Sequence, residues 1–243
     1  MGLEEDRRRA RKIIRKLRQV YPDARCSLNF ANPFQLLAAT ILAAQCTDEK
    51  VNQVTAQLFR TYPTVQAFAE ADEQGLEEDI RPTGFFRSKA KALIASAQDL
   101  LTRHGGDVPD NIEDLTQLRG VGRKTANVVL GVAHGRQAIV VDTHVHRLSL
   151  RLGFTKLDKP HQIDKVEQEL MRIIPKDSWT LFGLLMIAHG RAICTAQRPK
   201  CEICPILAYC PYRQAATRRS DRKPTRRRAQ STAKTATRTS RRS

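Results

Sequence analysis

The chain has 243 residues, enough for one large domain or two small ones around a substantial core. Its 41% hydrophobic content excludes general disorder, and its most apolar stretch, residues 34–44, falls far short of the ~20 residues of a bilayer-spanning helix, so a soluble protein is expected. A net charge of +17 favours a polyanionic partner, most simply nucleic acid, with an acidic membrane surface as the alternative.

From the N-terminus, residues 4–20 place Ala10, Ile13, Ile14 and Leu17 on one stripe among Arg and Lys, the pattern of an amphipathic surface helix. Residues 34–45 (FQLLAATILAAQ) are apolar on nearly all sides and predict a buried central helix. It stops before Thr47, which can N-cap a second helix carrying Asp48 and Glu49 in its first turn. Further helices are expected over 64–71, 72–80, 88–104, 112–118, 124–134, 143–152, 160–174 and 177–189, with Pro160 at a first helical position. Only 138–141 (AIVV) has strand-like content, too short and isolated for a sheet. The expectation is an all-α protein with short connections and no solenoid repeat. Cys26 and Cys46 suit small buried hydrophobes.

Residues 115–130 (LTQLRGVGRKTANVVL) predict two short helices flanking Gly120-Val121-Gly122. The glycines permit a tight turn, and a helix beginning near Arg123 would point its positive dipole end and open amides at that turn. Such a turn can bind phosphate through its backbone, although on the glycines alone an ordinary helix–helix turn is the better reading. A Walker A reading fails, because Arg123 and not Gly precedes Lys124 and no strand feeds the turn.

Four cysteines, Cys194, Cys201, Cys204 and Cys210, then fall within seventeen residues as Cys-x6-Cys-x2-Cys-x5-Cys. They offer one tetrahedral thiolate set for a [4Fe–4S] cluster or a structural zinc, and the spacing leaves these two open. Two disulfides would need an oxidising compartment, and the N-terminal MGLEEDRRRARK offers no apolar export segment. Beyond the array, residues 214–243 carry eleven Lys and Arg, one acid and no large apolar side chain. This stretch reads as a disordered basic arm that adds affinity for a nucleic-acid partner through phosphate contacts.

LRGVGRKTANVVL, then VDTHVHRL, then the cysteine array resemble endonuclease III, the bifunctional DNA glycosylases and AP lyases of the helix-hairpin-helix superfamily. The resemblance spans nearly everything except the arm. It implies an all-α fold of two helical domains with a DNA-binding cleft between them. One is a six-helix domain with the hairpin over 26–136, and the other a cluster domain of 1–25 with 137–213. It also implies a [4Fe–4S] cluster on the four cysteines, and excision of oxidised pyrimidines from duplex DNA followed by nicking of the strand. Carried over by position, Lys124 matches the nucleophilic lysine and Asp142 the catalytic aspartate. The resemblance further implies that Gln45 is inserted into the helix and that Phe85 stands at a wedge position where a Leu is common. Gly120, Val121, Gly122 and Arg123 would face DNA with the hairpin, as would His144, whereas His146 has no such match.

Each role has chemical sense. A free amine can attack the sugar and form a Schiff base, and a helix N-terminus and the neighbouring Arg123 would both disfavour its ammonium form. A carboxylate can stabilise positive charge developing on the sugar. A base must leave the stack before such chemistry, so side chains must fill the gap. Without the resemblance, Lys124 reads as a solvated helix residue, Asp142 as a helix N-cap, and Phe85 or Phe86 as core. Adenine-excising relatives lack the Lys124 equivalent and carry a further C-terminal domain, which this chain does not match. A non-catalytic iron–sulfur DNA-binding regulator would not require the Lys124/Asp142 pair. A monomer acting on damaged or abasic duplex DNA is expected, without a membrane, cytoplasmic and nucleoid-associated in a bacterium.

Overall fold

The computed structural model describes residues 2–212, and the arm expected over 214–243 lies outside them. Among these residues there are eleven α-helices, several 3-10 turns and no strand. They run α1 (Leu3–Val20), α2 (Pro33–Leu42), α3 (Asp48–Thr61), α4 (Val65–Ala69), α5 (Glu73–Ile80), α6 (Phe86–His104), α7 (Ile112–Leu115), α8 (Arg123–Val132), α9 (Thr143–Leu152), α10 (Ile163–Ile173) and α11 (Trp179–Ala192).

Two hydrophobic cores form. The first draws on residues between Leu28 and Ala138, with α2 at its centre packed against α3, α6 and α8. The second combines Ala10, Ile13, Ile14 and Leu17 of α1 with residues from Ile139 onward, through α9, α10 and α11. The amphipathic stripe of α1 thus packs against helices more than a hundred residues away in sequence. The strand-like 138–141 segment forms no strand, and it carries the chain from one core to the other: Ala138 is buried in the first, Ile139 in the second.

Helix starts follow their capping chemistry. Asn32, Thr47, Thr64, Asp72, Asn111 and Asp142 each accept a hydrogen bond from the backbone of the third residue on, which removes one orphan donor apiece. Helix ends differ more from expectation. α2 stops at Leu42, three residues early, because Gln45 adopts a left-handed conformation with φ 55°. α6 begins two residues early, since the Phe85 carbonyl already accepts from the Lys89 amide. α7 closes after four residues, at Leu115. Pro160 opens a 3-10 turn, Pro160–Gln162, and α10 follows from Ile163. Its fixed φ and missing donor suit either kind of turn.

Polar ties join the cores. Arg123, the first residue of α8, grips Glu167 of α10 in a bidentate pair, with Nη2–Oε1 at 2.7 Å and Nε donating to both oxygens at 3.1 and 3.0 Å. Glu167 is buried, and Asn127 one turn along α8 also donates to it, as well as to the Ile139 carbonyl. A buried carboxylate requires this degree of pairing. At Gly190 of α11, a Cβ would sit 2.7 Å from His144 Nδ1, so only glycine lets α9 and α11 approach this closely.

Candidate active site and metal centre

The hairpin turn is built as its glycines suggest. Gly120 has φ 78°, and a Cβ there would also lie 2.6 Å from the Ala92 Cβ, so both backbone and packing demand glycine. Val121 is the buried anchor of the turn, 5% exposed in the first core. Gly122 is the extended N-cap of α8 and brings no capping side chain. The first amides of α8 are therefore left for an outside acceptor. Lys124, second in the helix, is exposed. Arg123 points its guanidinium to Glu167, so its charge is matched within the protein and is not wholly available to a phosphate.

Beside this helix start lies a cavity of about 270 Å³ between the two cores. Lys124, Thr125 and Val128 of α8 form part of its wall, together with Gln45 from the α2–α3 connection. Val140, Asp142, Gly183 and Ile187 close it from the second core. Lys124 and Asp142 thus meet on one cavity although they belong to different halves of the molecule. Asp142 is the N-cap of α9: Oδ1 accepts from the Val145 amide at 2.8 Å, which fixes the carboxyl and leaves the second oxygen off the cap.

The remaining DNA-facing candidates divide. Gln45 is exposed and lines the cavity. Phe85 is 63% exposed with φ 48°, at the start of α6, while Phe86 packs against the first core beneath Arg81 and Arg87. One phenylalanine faces out and one faces in. His144 is half-buried, with Nδ1 3.1 Å from Arg147 Nη2, and burial together with neighbouring cations lowers its pKa against the pull of Asp142. His146 is structural: its Nε2 bonds the Leu157 carbonyl at 2.6 Å.

The cavity also has walls that the sequence did not announce. Asp48, expected only as a first-turn acid of α3, accepts from Arg191 Nη2 of α11 at 2.8 Å and from the Ser27 hydroxyl. Burial raises its pKa, but these hydrogen bonds and the charges of Arg191 and Lys124 outweigh that, so the net direction is down. Cys26 and Cys46 are both half-buried against the first core, and Cys26, its thiol pushed up by burial, also lines the cavity wall. Arg191 lies three residues before Cys194 and 143 residues from Asp48, a separation that no local pattern spans.

Cys194, Cys201, Cys204 and Cys210 gather beyond α11, and all four are half-buried. Cys204 is pushed up to about 11, first by burial and then by the neighbouring sulfurs of Cys194, Cys210 and Cys201. Arg151 of α9 reaches into the same loop, donating to Cys194 Sγ at 3.1 Å and to the Thr195 and Ala196 carbonyls at 2.7 Å each. Four soft donors with a cationic donor on one sulfur suit an anionic iron–sulfur cluster. Among the described residues no three His, Cys, Asp or Glu side chains stand ready to hold a single metal ion. No helix there is long and apolar enough to cross a membrane.

Known proteins agree with this architecture. Residues 38–176 match the HhH-GPD superfamily base excision DNA repair proteins, and residues 194–210 match the iron–sulfur binding domain of endonuclease III, which decides the cysteine array for a cluster. Endonuclease III of Synechocystis is 48% identical over 211 residues, 86% of this chain and 95% of that protein. A solved non-covalent endonuclease III–DNA complex superposes with a TM-score of 0.81 at 42% identity, covering 87% of this chain and 98% of that one. A trapped covalent endonuclease III–DNA intermediate gives 0.81 at 43% identity over the same shares. With an all-α body of two cores, a glycine hairpin beside an interdomain cavity and an iron–sulfur loop, this chain belongs to the endonuclease III family of HhH-GPD base excision DNA repair proteins.

Proposed function

We infer that the protein is a bifunctional DNA glycosylase and AP lyase, which excises oxidised pyrimidines from duplex DNA and then nicks the strand by β-elimination. The observation that carries the residue assignment is that Lys124 and Asp142, from different cores, line one cavity beside the uncapped start of α8.

The damaged nucleotide leaves the stack and its base enters the cavity. Lys124 Nζ, as a free amine, attacks the sugar C1′; the bond to the base breaks, and the base departs with its electron pair and takes up a proton. The Asp142 carboxylate, held by its cap bond, stabilises the positive charge that grows on the sugar during this displacement. Ring opening gives a Schiff base between Nζ and C1′. Loss of a C2′ proton then expels the 3′ phosphate, and hydrolysis returns the lysine. Asp142 assists these proton transfers.

The open amides of Gly120, Gly122 and the start of α8 hold a backbone phosphate, while Val121, whose amide is closed onto the Leu118 carbonyl at 3.1 Å, anchors the turn that presents them. Arg123 adds to that field while anchored to Glu167. Gln45 fills the space of the extruded nucleotide, Phe85 wedges the opposite strand, and His144 faces DNA from the first turn of α9. Residues 26–136 make up the hairpin domain, and 1–25 with 137–213 the cluster domain, with Ala138 of the connection still packed into the hairpin-domain core. Cys194, Cys201, Cys204 and Cys210 hold the [4Fe–4S] cluster, which ties this loop into one fold. The protein acts as a monomer in the bacterial cytoplasm, at the nucleoid.

Borohydride reduction during turnover on damaged duplex tests the assignment. A covalent protein–DNA adduct is expected from the wild type and none from Lys124→Gln. Full trapping and nicking by that variant would remove Lys124 as the nucleophile.

A further inference from the structure

Two side chains in the proposed reading must enter the duplex together, Gln45 and Phe85. They are also the two non-glycine residues with positive φ among the described residues, at 55° and 48°. A left-handed conformation of this kind is unfavourable for a residue with a Cβ, and it persists only where the surroundings enforce it. Local bonds account for part of this. The Cys46 amide closes onto the Ala43 carbonyl at 3.1 Å, and the Phe85 carbonyl accepts from the Lys89 amide and the Ser88 hydroxyl. Nothing in either turn relates one to the other.

Lys89 does. It lies one turn into α6 and is 4% exposed. Its ammonium donates at 2.8 Å to the Leu42 carbonyl and at 2.8 Å to the Thr83 carbonyl. Leu42 is the last residue of α2, three before Gln45, and its carbonyl belongs to the unpaired negative end of that helix. Thr83 ends the 3-10 turn Arg81–Thr83, two residues before Phe85. A buried ammonium with fixed carbonyl partners is a rigid link, because leaving either side unpaired is costly.

We propose that Lys89 is a positioning residue, whose buried ammonium bridges the ends of the two turns and holds Gln45 and Phe85 in register for simultaneous insertion into DNA. It touches neither substrate nor reacting atoms. The proposal rests on the gap-filling roles assigned above to Gln45 and Phe85. Its consequence is selective: losing the bridge impairs extrusion of a paired nucleotide more than the chemistry that follows.

The test uses one oxidised pyrimidine in two duplexes, facing either a partner base or a one-nucleotide gap, where no estranged base needs a filler. The readout is the ratio of single-turnover excision rates, paired over gapped, for the wild type, Gln45→Ala, Phe85→Ala and Lys89→Met. Both substrates are read in one preparation, so the folded fraction cancels. Lys89→Met is expected to lower the ratio about tenfold or more, in line with the cost of misplacing groups remote from the chemistry. Gln45→Ala and Phe85→Ala should each lower it too. If these two leave it unchanged, the gap-filling reading fails and takes the proposal with it. If they lower it while Lys89→Met does not, the proposal about Lys89 alone is overturned. Should Lys89→Met give no folded protein, Lys89→Arg is read in the same way: its larger head displaces the two turns and should lower the ratio, and an unchanged ratio again overturns the proposal.

Discussion

α8 and α9 start alike and are finished differently. Both N-caps have extended backbone, Gly122 with ψ 172° and Asp142 with ψ −175°. Gly122 supplies no side chain, so α8 keeps its amides open and its positive end exposed. Asp142 closes the start of α9 on itself through the Val145 amide. The open end can take a phosphate from outside, whereas the closed end uses the same helix chemistry to immobilise a carboxylate. One helix start serves as a binding surface and the other as a mount. The two face a common cavity only because they come from different cores.

Removing what each start displays should have the largest effects. Lys124→Gln is expected to abolish borohydride trapping and to lower single-turnover excision by at least about 10³-fold, while affinity for damaged duplex in a binding titration stays within about threefold. Asp142→Asn separates charge from mount, since Asn caps a helix as well as Asp does. Excision should fall by about 10²-fold with little change in melting temperature. Asp142→Ala should add a loss of about 1 kcal/mol in chemical denaturation. If Asp142→Asn excised at the wild-type rate, the carboxylate would be only a cap.

Giving α8 the kind of start α9 has is the more direct reversal. Gly122 has space for a side chain and an ordinary φ of −84°. Gly122→Asp should cap α8, raise the melting temperature slightly and lower DNA affinity about tenfold, by occupying the amides with a negative charge. Gly122→Ala should do neither. Equal affinity for the Asp variant and the wild type would rule out a phosphate at this helix start.

The smallest effect is expected across the cavity, at Asp48. Its folded-state pKa lies below the ordinary carboxylate value, so it contributes stability above that value and loses it as pH falls through the depressed one. Asp48→Asn should therefore lower stability at neutral pH by less than about 1 kcal/mol, since the partner Arg191 is half-exposed. The gap between variant and wild type should close in acid. A constant gap from pH 7 to pH 3 would mean that the ion pair with Arg191 is not what stabilises this contact.

Local chemistry made much of the molecule legible from the sequence. Helical periodicity, the capping residues Thr47 and Asp142, the glycine turn at 120–122 and the spacing of the four cysteines are all patterns within about one turn or one loop. Such patterns fix backbone conformation and ligand chemistry where they stand. The resemblance carried by three such motifs pointed to the two-domain architecture and to the cluster. What tertiary structure alone decided is which surfaces meet. Arg123 looks like a cation for DNA and is half-spent on Glu167, 44 residues away. Asp48 looks like a first-turn acid and becomes a cavity wall through Arg191. Phe85 and Phe86 are chemically the same, and only packing against the first core turned one inward and left the other 63% exposed. Nothing in the sequence singled out Lys89, which is buried only by its tertiary neighbours. Periodicity says that a side chain has a face; it does not say what lies opposite, because that depends on contacts between segments far apart in the chain.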